Sequence, residues 1–213
     1  MKATILSLAT LLATTNAIPS VTPKLLPTTS CVYWPSWINS RPNDLTGSIA
    51  LVVSSSEDPA LENSLAQPFT IPYANQANKR DYLGITLVNS RRFAKEYYRC
   101  VDTQFVDYRI TPINIAADDR NAHLTKNAAD NEGAGWKSYK PEIYRHVIDG
   151  KEVDGTFLGA QNRTTWGFSY VSNPDCGNGW YEVRLLDLPV EEGREPTATR
   201  PIEFKGFLKV IAF

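Results

Sequence analysis

Residues 142–158 read EIYRHVIDGKEVDGTFL, two β-type runs held apart by Asp149-Gly150. Both central positions of a two-residue type I′ turn need positive φ, and Asp-Gly is one of the few pairs that adopts it readily. The segment therefore predicts an antiparallel hairpin, the sharpest local constraint anywhere in the chain.

The same alternation recurs elsewhere. Residues 165–172 set Trp166, Phe168 and Tyr170 against Thr165, Gly167 and Ser169, and Tyr181, Val183 and Leu185 alternate with Glu182 and Arg184. Residues 105–110 place Val106, Tyr108 and Ile110 on one face and Asp107 and Arg109 on the other. The apolar run SIALVVS at 48–54 predicts a buried strand, with further strands at 69–73 and 83–88, and the chain ends in the alternating IEFKGFLKVIAF. Residues 91–100, RRFAKEYYRC, combine helical spacing of Phe93, Ala94, Tyr97 and Tyr98 with an aromatic content that favours strand. Roughly eight to ten short strands punctuated by turn signals predict an all-β fold. The expected architecture is an antiparallel β-sandwich of jelly-roll type, with a barrel as the second choice and little helix.

The N-terminus has a different character. In MKATILSLATLLATTNA, Lys2 is a basic leader, Ile5 to Ala13 an apolar core and Thr15-Asn16-Ala17 a small-residue cleavage site. Residues 1–17 thus read as a secretory signal peptide. Residues 18–30 carry Pro19, Pro23 and Pro27 and predict an extended lead segment rather than a packed element. Residues 31–213 then form a single domain, expected to be monomeric. Charge is nearly balanced, 22 Lys and Arg against 23 Asp and Glu. Nucleic acid and anionic membrane both demand clustered cations, so neither is an expected partner.

An exported chain meets an oxidising compartment, where two of Cys31, Cys100 and Cys176 are expected to pair. Pairing Cys31 would tie the start of the domain to its body. Cys100 and Cys176 both lie at ends of predicted strands, and that pairing is the favoured expectation. In NPDCGNGWYEVRLLDL (173–188) Cys176 then sits in a hairpin connection and Trp180 begins a core strand. There is no C-x-x-C or H-x-x-x-H, and His123 and His146 lie far apart in sequence, so neither a metal nor another cofactor is expected.

Candidate functional residues fall into three groups. Trp34 and Trp37 flank Pro35 in an irregular segment, and Trp136 follows the polar stretch 117–135. These three are the candidate ligand contacts, although the favoured expectation for Trp34 and Trp37 is a plug on the end of the core. Trp166 and Trp180 lie on predicted strands and are assigned to the core. Asn162-Arg163-Thr164 is an acceptor tripeptide for N-glycosylation in an expected exposed loop. A glycoside hydrolase would need two facing carboxylates, for which Glu142, Glu152 and Glu182 are available on strands. The expectation for these is the solvated side of half-exposed strands. Tyr144-Arg145-His146 offers the residue types of a polysaccharide lyase, but alternation places Arg145 on the opposite face from the other two. Asp118, Asp119, Asp130, Asn131 and Glu132 lack the spacing of a calcium loop and are expected to be solvated.

Taken together, a signal-like leader, about 200 residues, few cysteines and one β-rich domain resemble the small secreted, effector-type proteins of filamentous fungi. That resemblance is one of general architecture and transfers no site residue. It implies an extracellular protein that binds a glycan or a partner protein. The alternative is a carbohydrate-active enzyme, hydrolase or lyase, on a jelly-roll scaffold.

Overall fold

A computed structural model of the chain describes residues 17–39, 44–71, 80–86, 97–117, 122–126, 137–172, 179–188 and 203–213. The fold is all-β and antiparallel, and it is not closed into a barrel. Its strands are β1 (Thr22–Leu25), β2 (Ile49–Ser54), β3 (Leu65–Ile71), β4 (Arg80–Thr86), β5 (Tyr98–Val101), β6 (Gln104–Asp107), β7 (Ile113–Ala117) and β8 (Ala122–Lys126). They continue with β9 (Lys137–Tyr139), β10 (Glu142–Ile148), β11 (Lys151–Gly159), β12 (Thr165–Val171), β13 (Trp180–Leu185) and β14 (Glu203–Ala212). Among the described residues the helical content is two single 3₁₀ turns, Cys31–Tyr33 and Pro59–Leu61.

Local chemistry explains the turns. Asp149 and Gly150 have φ of 50° and 76°, the type I′ turn that the sequence demands between β10 and β11. Two other tight hairpins are made without glycine. Asp102 and Thr103 (φ 47° and 67°) join β5 to β6, and Gln161 and Asn162 (φ 52° and 59°) join β11 to β12. Asn and Asp tolerate this region better than most residues, because a short polar side chain bonds locally.

Strand order runs β1-β10-β11-β14-β12-β13-β8-β4-β3-β2-β5-β6, with β7 on β8 and β9 on β7. The long terminal strand β14 stitches the layers. Its first half, Glu203 to Phe207, pairs with β12, and its second half, Phe207 to Ala212, pairs with β2. Sharing one strand between layers lets the sheet fold over a common core, the sandwich arrangement. Ile49, Leu51 and Val53 of β2, Trp166 and Phe168 of β12, Val183 and Leu185 of β13, and Leu208 and Val210 of β14 meet there, all buried. The alternation of β12 and β13 is therefore inward-facing as expected, except that Tyr170, at the strand end, emerges into solvent.

Three local expectations need correction. Part of the lead segment is an edge strand: Thr22 to Leu25 pairs with Val147 to Tyr144 of β10. Pro23 is tolerated there because an edge strand does not need every N–H. The alternation drawn through 105–110 stops at Asp107. Phe105 and Asp107 turn inward, whereas Ile110 is 62% exposed at φ 65°. The cause is the Asp107 carboxylate, whose Oδ1 accepts the N–H groups of Arg109 (2.9 Å) and Thr111 (2.8 Å) and curls the chain out of the strand. The polar stretch 117–135 is not one uninterrupted excursion, since Ala122–Lys126 forms β8 and buries Leu124 in the core. The oxygen-bearing residues Asp118, Asp119, Asp130, Asn131 and Glu132 lie outside the described residues.

The disulfide also differs from the favoured pairing. Cys31 bonds Cys100 across a separation of 69 residues. The 3₁₀ turn at Cys31 is seated by Asp44, whose Oδ2 accepts the Cys31 N–H at 2.7 Å, and this delivers Cys31 to β5. Cys176, left as the odd one of the three, lies outside the described residues.

Candidate functional site

The hairpin β5–β6 has two faces of opposite character. Inward, Tyr98, Cys100 and Phe105 are fully buried. Trp34 stacks on Phe105 with ring centroids 5.4 Å apart, Tyr98 packs on the same ring, and the Tyr98 hydroxyl donates to the Ala66 carbonyl at 2.9 Å. Together with the disulfide, these contacts hold the hairpin to the body of the domain.

On the other face of β5 the half-buried Arg99 lies opposite Val106, which is itself buried, and half-buried Tyr97 directly precedes the strand. Tyr108, just past the end of β6, meets Tyr97 with ring centroids 6.3 Å apart. Each tyrosine carries a guanidinium over its ring: Arg99 lies 5.3 Å from the Tyr97 centroid and Arg109 lies 5.0 Å from that of Tyr108. Such cation–π placement holds a flexible Arg in one orientation. The Arg109 Nε also donates to the Tyr108 hydroxyl. Neither guanidinium has a carboxylate partner among the described residues, and the Arg99 Nε is buried without a hydrogen bond. Exposed Ile110 stands beside Arg109 on the turn that Asp107 fixes. The result is a contact chain, Arg99–Tyr97–Tyr108–Arg109, on a rigid base.

A second polar cluster is buried and self-satisfied. Arg184 on β13 forks onto Glu203 of β14, with Nε to Oε1 at 2.7 Å and Nη2 to Oε2 at 2.6 Å, and both side chains are fully shielded from solvent. Ser169 donates to Glu203 Oε1 at 3.1 Å, and His123 lies opposite Arg184 on β8. Register explains how the pair spans a strand. Gly167 of β12 sits opposite Arg184, and the Glu203 carboxyl occupies the space where a Cβ of residue 167 would stand. A glycine within a strand commonly marks such a close approach.

A third network lies at the β11–β12 turn. The Tyr144 hydroxyl donates to Glu142 and accepts the Asn162 N–H at 2.9 Å, while Gln161 donates its N–H to Glu142 at 2.9 Å. Burial, chiefly, and the adjacent Glu142 carboxylate push the Tyr144 phenol well above its ordinary pKa. Nearby, His146 is buried between Phe157, stacked at 3.7 Å, and the edge of Phe207. Its Nε2 is 2.9 Å from Thr164 Oγ1, and burial lowers its pKa to about 4.

The residues singled out from sequence are dispersed by this geometry. Trp34 is 6% exposed and belongs to the core, so it offers no face to a ligand; the plug reading is the one its surroundings match. Trp37 is 37% exposed and bridges Thr46. Trp136 lies outside the described residues. Trp166 and Trp180 are buried, as assigned. Asn162 is exposed at the tip of its turn, whereas Thr164 of the same tripeptide is buried. The three strand carboxylates do not converge: Glu142 holds the β11–β12 turn, Glu152 pairs with Lys24 of β1, and Glu182 lies several strands away on β13. Tyr144 and His146 are inward-facing, while Arg145 reaches the Gly155 carbonyl and Asp154. Among the described residues no group of three His, Cys, Asp or Glu side chains is placed to hold a metal ion. An open cleft of about 270 Å³ between Pro19, Ser55, Ser56, Pro59 and Glu62 is lined by few ionisable groups.

Sequence reasoning missed both the Tyr/Arg chain and the Arg184–Glu203 pair. The first carries a faint signal, since Tyr97 and Tyr108 immediately flank the paired residues Tyr98 and Asp107 of the β5–β6 hairpin. No protein-family model matches the chain, and no curated protein matches it in sequence.

Proposed function

We propose that this chain is a secreted, monomeric binding protein that recognises an extracellular glycan or partner protein through the outer face of β5–β6. The observation that carries this reading is the contact chain Arg99–Tyr97–Tyr108–Arg109. Tyr and Arg supply large rigid contact area and directional charge, and they dominate binding hot spots for that reason. A surface of this kind is effective when it is already ordered, because the entropy of fixing the side chains is spent at folding and not at binding. The disulfide and the Trp34–Phe105 stack provide that order on the reverse face.

Export is supported by the signal-like residues 1–17 and by a disulfide suited to an oxidising compartment. Among the described residues no helix is long and apolar enough to cross a membrane. Asn162 is an exposed acceptor at a turn tip, where an attached glycan would project into solvent without displacing the core. Expression of the full chain in a eukaryotic host is expected to release a protein beginning near Ile18. Endoglycosidase should reduce its mass by one glycan, and Asn162→Gln should abolish that change.

The competing reading, a hydrolase or lyase, draws on Glu142, Glu152 and Glu182, which stand apart, the first two already engaged by the β11–β12 turn and by Lys24. A glycan-array screen of the purified mature protein, with an assay for new reducing ends or unsaturated products on each hit, separates the two. Binding without cleavage is the expected outcome. Turnover of any hit would replace the binding reading with an enzymatic one.

A further inference from the structure

Resting on that binding reading, we infer that the β5–β6 face recognises a carboxylate-bearing glycan, a polyuronate chain. Two guanidinium groups, each without a carboxylate partner among the described residues, lie over the two rings of a tyrosine pair, in a chain whose overall formal charge is −1. In a protein with a slight acidic excess, two arginines set over tyrosine rings with no carboxylate partner among the described residues form a local anion site rather than a general cationic surface. The planar fork of arginine matches a carboxylate bidentately, and with the Arg109 Nε on the Tyr108 hydroxyl it is the edge of the two terminal nitrogens that is left to make that fork. The Asp107 carboxylate is turned inward, and its Oδ1 accepts the backbone N–H groups of Arg109 and Thr111. It therefore positions the backbone of Arg109.

The tyrosines set the rest of the ligand. The Tyr97 and Tyr108 rings are inclined at 57°, adjacent but not parallel, which suits successive tilted sugar rings better than one flat aromatic ligand. A polyuronate repeats a carboxylate at every sugar, so one chain laid across the pair can meet an aromatic face and a guanidinium in alternation. An acidic peptide would supply the charge, but its carboxylates hang on flexible stems and bring no rigid ring to the tyrosines.

The test uses the full secreted chain and immobilised polygalacturonate. Binding is expected, weakening at least tenfold between low salt and about 0.5 M salt, as screening of exposed charges requires. It should also fall at least tenfold on methyl-esterified polygalacturonate, which keeps the sugar and removes the charge. Arg109→Gln and Tyr108→Ser should each lower affinity at least tenfold with an unchanged melting temperature. Arg99→Gln offers the same test should either of those fail to fold. Equal binding to the ester, equal binding to poly-glutamate, or no binding to polygalacturonate would overturn the inference. Binding to a neutral glycan or a protein through this same face would overturn it too, but would leave the binding function standing.

Discussion

Arg184 and Glu203 are both shielded from solvent, and each charge depends on the other. Removing one partner from a buried pair strands the second, at a cost of about 3–5 kcal/mol, whereas replacing both with apolar groups is often nearly neutral. Arg184→Met should therefore destabilise the fold by about 3–5 kcal/mol in urea unfolding, and Arg184→Met with Glu203→Leu should recover most of that loss. Gly167→Ala should act through the same pair. Its methyl group would drive the Glu203 carboxyl off Arg184, lowering stability by about 1–3 kcal/mol. Little of this was legible in the sequence. Alternation assigns Glu182 and Arg184 to the same side of β13, but it does not reveal that this side is shielded. Glu203 is also 19 residues from Arg184, beyond any local pattern. The glycine in the aromatic strand TWGFSYV was the available clue.

At the scale of elements, the Asp149-Gly150 hairpin was legible because turn chemistry is local, and it formed as the dipeptide requires. The end of β6 was not, because its alternation continues on paper through Ile110 while the Asp107 side chain bonds the backbone two and four residues ahead. The disulfide was half legible: oxidation follows from the leader, but the choice of partner depends on how the first 3₁₀ turn reaches β5. Closing a loop of 69 residues removes chain entropy worth about 4 kcal/mol from the unfolded state. Cys31→Ser with Cys100→Ser should lower stability by about that amount under non-reducing conditions, measured by denaturant titration. A loss below 1 kcal/mol would mean that the hairpin is held to the body by its aromatic packing alone.

Over the whole molecule, the all-β class and the strand-rich pattern were legible, while the strand order was not. Pairing β14 with β2 joins segments about 150 residues apart, and no periodicity encodes such a partner. Global stability should carry the signature of His146. The unfolded chain takes up a proton near the ordinary imidazole pKa of 6.5, while burial delays uptake in the folded state to about 4. This group's contribution is therefore fully present above about pH 6.5 and is lost as pH falls towards 4, a change on the order of 3 kcal/mol. Unfolding free energies measured across that range should fall less steeply for His146→Gln than for the native chain. On the proposed function one hairpin divides its labour, its inner face serving the fold and its outer face serving recognition. The most direct test measures glycan or partner affinity and melting temperature together on variants of each face. Tyr97→Ser and Tyr108→Ser should lose binding at an unchanged melting temperature, and Trp34→Ala should lower the melting temperature by several degrees. Outer-face variants that bind like the native chain would rule out recognition through β5–β6.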